Sequence, residues 1–180
     1  LALQAVTSRE IAKFVRQGGR LASALVRPLL WLVVFAAGFQ NVFGVSIIPP
    51  YDTYIPYQTY IVPGLLGMVL LFNGMQSSLA MVYDREMGLM RLLLTAPLPR
   101  SWLLFCKLCA TALLSVLQAL AFVIVALLLG TDLPVFEWSV LHALVALLAG
   151  ALMLGALGLL LSVHIKQLEN FAGTMNFVIF

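Results

Sequence analysis

Charge is what this chain has least of. Only 9% of its 180 residues are Asp, Glu, Lys or Arg, and 63% are apolar. A soluble globular domain carries about 25% charged residues, so the composition excludes an ordinary soluble domain and argues for a polytopic membrane protein. Cysteine is scarce as well. Cys106 and Cys109 form CKLC at the entrance to a long apolar run, without the strand and helix that a thioredoxin-like pair needs. They read as packing residues, and no disulfide framework is implied. The two histidines, His142 and His164, lie roughly 33 Å apart if they share one helix. They cannot hold one metal within a single chain, and each reads as an interfacial histidine. There is no HExxH and no GxxxxGK[ST], hence no zinc-hydrolase pattern and no phosphate-cradling loop. No repeat recurs at a fixed spacing. The chain starts without Met, and no cleavage-like site follows its first apolar run, so no signal peptide is expected.

What is present is a series of apolar runs with short polar connections. TSREIAKFVRQGGR opens it. Thr7 and Glu10 make a capping box, and Arg9, Lys13, Arg16 and Arg20 form a cationic stripe opposite Ile11, Phe14 and Val15. Residues 1–20 are therefore expected as an amphipathic helix lying in the membrane interface; an ordinary solvated charged face is the plainer reading. The first span is expected from Pro28 to Ile48, with Pro28 in its first turn. Tyr51, Tyr54, Tyr57 and Tyr60 follow, as an aromatic belt at the headgroups rather than a substrate entrance. The second span runs from Ile61 to Val82, the third from Trp102 to Gly130, and the fourth from Trp138 to Val163. FAGTMNFVIF begins a fifth run, but ten helical residues reach only about 15 Å against a hydrocarbon core of about 30 Å. The expectation is an all-α membrane domain over residues 21–180, truncated after four complete spans and the start of a fifth.

The end of the second span, FNGMQSSLAMVY, is unusually polar. Asn73, Gln76 and Ser77 are expected to face other helices or a water-filled path, because lipid offers them no partner. Ala146, Gly150, Gly155 and Gly158 suggest a close-packing face on the fourth span.

Charge placement sets the expected topology. All ten Lys and Arg fall before the first span, around the connection between the second and third, or after the fourth. The opposite loops hold Asp52, Asp132 and Glu137 without a cation. The positive-inside rule puts the N-terminus in the cytoplasm. The isoelectric point near 9.1 would suit nucleic acid, but this one-sided distribution favours a membrane surface, and no nucleic-acid partner is expected.

The connection itself, DREMGLMRLLLTAPLPR, carries five charges in an otherwise greasy region. Asp84 and Arg91 are expected on one face of a short helix, with Leu89 and Leu93 on another. Thr95 and two prolines then stop it and re-aim the chain. Two readings stay open: an element that transfers force from a soluble partner, or a stiff turn whose leucines hug the membrane.

The amphipathic start, the polar-ended second span and the run YDREMGLMRLLLTAPLPRSWLLFCKL resemble the ABC-2 permease family, the membrane subunits of type-2 ABC exporters. The resemblance rests on Glu86, Gly88, Thr95 to Arg100 and Lys107 in that order, and covers nearly the whole chain. The family has six spans, so about one and a half are missing. The resemblance implies export driven by ATP and Mg on a separate ATPase subunit, since this chain has no phosphate loop and binds no cofactor itself. It also implies a second permease copy, with a homodimer expected, and a bacterial inner membrane. The implied coupling segment is 84–100, with Glu86, Met87, Gly88, Leu89 and Arg91 as contacts to the ATPase. None of these does bond chemistry, so the chain is expected not to be an enzyme. An integral-membrane enzyme using Asp52, Asp132, Glu137 and His142, or a channel, are the alternatives. The substrate is not legible.

Overall fold

In hydrocarbon, a backbone must satisfy its own hydrogen bonds, and an uncharged apolar segment does so as a helix. The computed structural model has three long helices: α1 (Tyr57–Glu86), α2 (Arg100–Leu128) and α3 (Ser139–His164). Each is long and apolar enough to cross a membrane. The structure describes residues 57–88, 99–131, 133 and 138–165, together with 8, 11–12, 19, 26, 28–34, 38, 170 and 173. Among the described residues there is no strand. Residues 28–34 and 38 are helical, as expected of the first span; its remainder, most of the amphipathic start and most of the fifth run lie outside the described residues.

The helix ends follow from local chemistry. Pro99, extended at φ −62° and ψ 137°, precedes α2, and its carbonyl accepts from the amides of Trp102 and Leu103. At the far end the Thr131 amide donates to the Ala126 carbonyl and the Gly130 amide to Leu127. With Gly130 at φ 84°, this is a Schellman ending, in which a glycine takes the left-handed conformation that closes the last turn. α1 ends similarly. The Met87 amide donates to Tyr83 and Gly88 to Arg85, with Gly88 at φ 73°.

α1 extends four residues beyond the expected span at both ends. Asp84 therefore sits inside the last turn of α1 rather than in the connection, and it meets Lys107 of α2; its expected face-sharing with Arg91 lies outside the described residues. The charged ending misled the boundary: Asp84 is held by a cation from the neighbouring helix, so the helix continues through it.

α3 packs on α1 through small residues. A Cβ on Gly158 would collide with the Ser78 hydroxyl and lie 3.1 Å from the Gly74 carbonyl, and one on Gly74 would lie 3.3 Å from the Leu154 carbonyl. The two backbones thus touch without side chains between them, which only glycine allows. Gly150 faces Leu70 of α1, and Gly155 faces Leu108 and Thr111 of α2. Ala146 is exposed and does not join this face; at 3.6 residues per turn it lies about 120° round the helix from Gly158. Between α1 and α2 the contact is apolar toward the Leu128 end, where Val62, Leu65, Val69, Phe122 and Ala126 cluster with Leu32.

Candidate functional site

The Arg100-end half of the α1–α2 contact is polar. On α1, Asn73 and Ser77 are four residues apart and so share a face. On α2, Thr111 and Ser115 do the same. Asn73 Nδ2 donates to Ser115 Oγ at 2.6 Å, and Ser115 Oγ donates to the Thr111 carbonyl at 2.9 Å. Ser77 Oγ and Thr111 Oγ1 are 2.6 Å apart. Thr111 spends its only proton on the Lys107 carbonyl, 2.9 Å away, so Ser77 must be the donor between them. Lys107 Nζ then lies 3.6 Å from Asp84 Oδ2, with both side chains largely buried. A continuous polar ladder therefore runs from mid-helix Asn73 down to an ion pair joining the ends of α1 and α2. Interhelical hydrogen bonds of this kind contribute about 0.6 kcal/mol each in a membrane. Breaking one side of a buried ion pair costs more, about 3–5 kcal/mol.

Other polar groups stay within their own surroundings. Ser78, on the α3 side of α1, donates to its own helix at the Gly74 carbonyl. Ser162 of α3 donates to Leu159 and approaches Met81 Sδ at 3.9 Å. Gln76 is half-buried. Gln118 is the exception: it is fully buried, and neither its Nε2 nor its Oε1 has a hydrogen-bond partner. A buried polar group left so costs about 1–3 kcal/mol.

Glu86, Met87 and Gly88 come just beyond the ion pair. Glu86 and Met87 are exposed, Met87 at 60%. Nothing lies within 4 Å of a Cβ built on Gly88, so its glycine requirement is conformational, set by the positive φ. Leu89 and Arg91 lie outside the described residues. Both histidines turn back on α3: His142 Nδ1 is 3.0 Å from the Trp138 carbonyl and His164 Nδ1 is 3.1 Å from the Leu160 carbonyl. Since a carbonyl only accepts, each Nδ1 carries the proton. Cys106 and Cys109 are both free, and Cys106 is buried in the helix packing.

Sequence reasoning passed over Thr111, Ser115, Gln118 and the Asp84–Lys107 pair. Two signals pointed to them. Thr111, Ser115, Gln118 and Phe122 repeat at four, three and four, a helix seam. Lys107 stands alone in an apolar run, and a cation in a span demands a partner.

A family profile described as ABC-2 type transporter matches residues 1–180. Three relatives share the name "Putative transport permease ycf38". That of Porphyra purpurea is 29% identical over 170 residues, covering 92% of this chain and 57% of its own length. That of Cyanophora paradoxa is 34% identical over 119 residues, 65% of this chain and 39% of its own. The Pyropia yezoensis protein is 26% identical over 170 residues, 92% of this chain and 57% of its own. The matched region thus spans between 39% and 57% of the length of these relatives.

Proposed function

The chain belongs to the ABC-2 type transporter family, and on that premise we propose that it is a membrane-spanning subunit of an ATP-driven exporter, worked by a separate ATPase through the 84–100 segment. One observation carries the coupling: the exposed Glu86–Met87 turn is built directly onto the Asp84–Lys107 pair. A partner that pushes on this turn moves the end of α1, and the ion pair passes the displacement to α2. Gly88 lets the chain reverse at that point, while Glu86 and Arg91 offer charges to the partner. ATP and Mg belong to the ATPase.

The N-terminus and the 84–100 segment face the cytoplasm in this reading, because every Lys and Arg lies on that side, and the membrane is a bacterial inner membrane. A second copy of the permease completes the path, and lipid covers the remaining apolar surface. The cargo is left open.

Cysteine crosslinking tests the coupling. Met87→Cys suits this better than a change at Gly88, whose φ of 73° penalises any side chain. A crosslink from Met87→Cys to the co-purified ATPase that changes with nucleotide is the expected result. Undiminished transport and ATPase binding after combined changes at Glu86, Met87 and Arg91 would leave this stretch as a stiff membrane-surface turn.

A further inference from the structure

The two hydrogen bonds between α1 and α2 define a register. Ser77 lies opposite Thr111 and Asn73 opposite Ser115. Both helices continue with the seam spacing of three and four residues, so the next layers place Leu70 with Gln118 and Leu66 with Phe122. Extended by that spacing, the register sets the amide at the level of a leucine; Gln118 is buried with neither side-chain atom bonded.

We propose that α2 has a second register against α1, one helical turn away, which Gln118 exists to stabilise. A shift of α2 by one layer toward its Arg100 end, roughly 5–6 Å, brings Ser115 opposite Ser77, Gln118 opposite Asn73 and Phe122 opposite Leu70. Polar layers then meet polar layers, and the leucine meets a phenylalanine. The amides of Gln118 and Asn73 are mutually complementary, each with donors and an acceptor. Thr111 leaves Ser77, yet keeps its bond to the Lys107 carbonyl within its own helix.

The movement trades the packing of Leu108 and Thr111 on Gly155 of α3 for that of the next turn of α2, and the α1 side of the interface accommodates it. Lys107 now reaches toward the end of α1 to meet Asp84; after the shift its backbone lies nearer Asp84, so the long side chain retains the pair in both registers. α1 and α3 are clasped backbone to backbone at Gly74 and Gly158 and stay together. The α2 face that slides is studded with alanines: Ala112, Ala119 and Ala126 are all buried. One-turn ratchets of this size are a known mode of switching between packed elements. The device rests on the coupling reading only for what drives it, since displacement at the 84–88 end is what would move α2.

The test uses the full permease in its membrane with Cys106 and Cys109 changed to Ala. Ser→Cys and Thr→Cys pairs report the register. Ser77→Cys with Thr111→Cys marks the present one, and Ser77→Cys with Ser115→Cys the second. The expected result is that both pairs crosslink under mild oxidation, and that adding Gln118→Leu lowers the yield of the second about tenfold, the effect of one lost amide bond on an equilibrium, while sparing the first. Thermal unfolding of Gln118→Leu alone should show an unchanged or raised midpoint, since the substitution removes an unsatisfied group from the present register. If the 77–115 pair never forms, or forms equally with Gln118→Leu, the second register is wrong. A lowered midpoint with no change in crosslinking would instead make Gln118 a static structural group served by a bridging water. Repeating the crosslinking with and without ATP on the co-purified ATPase separates the two claims. A Gln118-dependent shift indifferent to nucleotide keeps the register and rejects the coupling.

Discussion

α1 and α3 are both candidate spans, yet they are opposite in kind. The most apolar stretch of α1 has a mean hydropathy of 1.6 and is 56% buried within the chain; that of α3 has 2.6 and is 17% buried. The more polar helix is the inner one. In water the order would be reversed, because water drives apolar surface inward. A bilayer removes that drive, and the interior is then chosen by which groups need partners and which surfaces pack closely. α1 carries Asn73, Ser77 and Asp84, each bonded to α2. α3 touches its neighbours through glycines and leaves Leu141, Val145, Met153, Leu157 and Leu160 exposed.

Substitutions sharpen this contrast. The largest effect is expected from Asp84→Ala, which removes the carboxylate that faces the Lys107 ammonium; the loss should fall toward the lower end of about 3–5 kcal/mol. Pairing it with Lys107→Met should recover most of the loss, as measured by thermal unfolding in nanodiscs. If the single change is silent, the ion pair is not a joint between α1 and α2. Next comes Gly158→Ala, whose new methyl meets the Ser78 hydroxyl, with an expected cost of about 1–3 kcal/mol. Ser78→Ala frees that space, so the double change should cost less than the two singles added together. Strict additivity would mean that α1 and α3 do not touch there.

Asn73→Ala is expected to cost about 1–2 kcal/mol, since it leaves Ser115 without its donor and opens a small void. Smallest of all is Leu157→Ala on the exposed face of α3, within about 0.5 kcal/mol. If Leu157→Ala equals Gly158→Ala in unfolding, or disperses a dimer in crosslinking, that face is a protein interface rather than a lipid-facing one.

Much of this was readable in advance because hydrocarbon is a demanding solvent. The three described spans lie within a few residues of where apolar length places them, since no other backbone form is tolerated there. The need of Asn73 and Ser77 for partners is likewise a property of the residues. The boundary at Asp84 was missed for the opposite reason. A carboxylate next to an arginine looks like a solvated helix end until the cation that holds it, 23 positions later in the chain at Lys107, is seen beside it. Ala146 was grouped with the glycines by spacing alone, but a contact face is set by where the neighbouring helices stand.

By itself, then, the amino-acid sequence determined that the chain is helical and lies in a membrane, where the three described spans run, and which family it resembles. These follow from composition and local order, because the cost of unsatisfied backbone and of charge in lipid is paid residue by residue. Tertiary structure alone decided which hydroxyl receives the Asn73 amide, that Gly158 rather than Ala146 meets α1, and that Gln118 is buried without a hydrogen-bond partner. Those depend on the relative register of two helices, a quantity that neither helix encodes without the other.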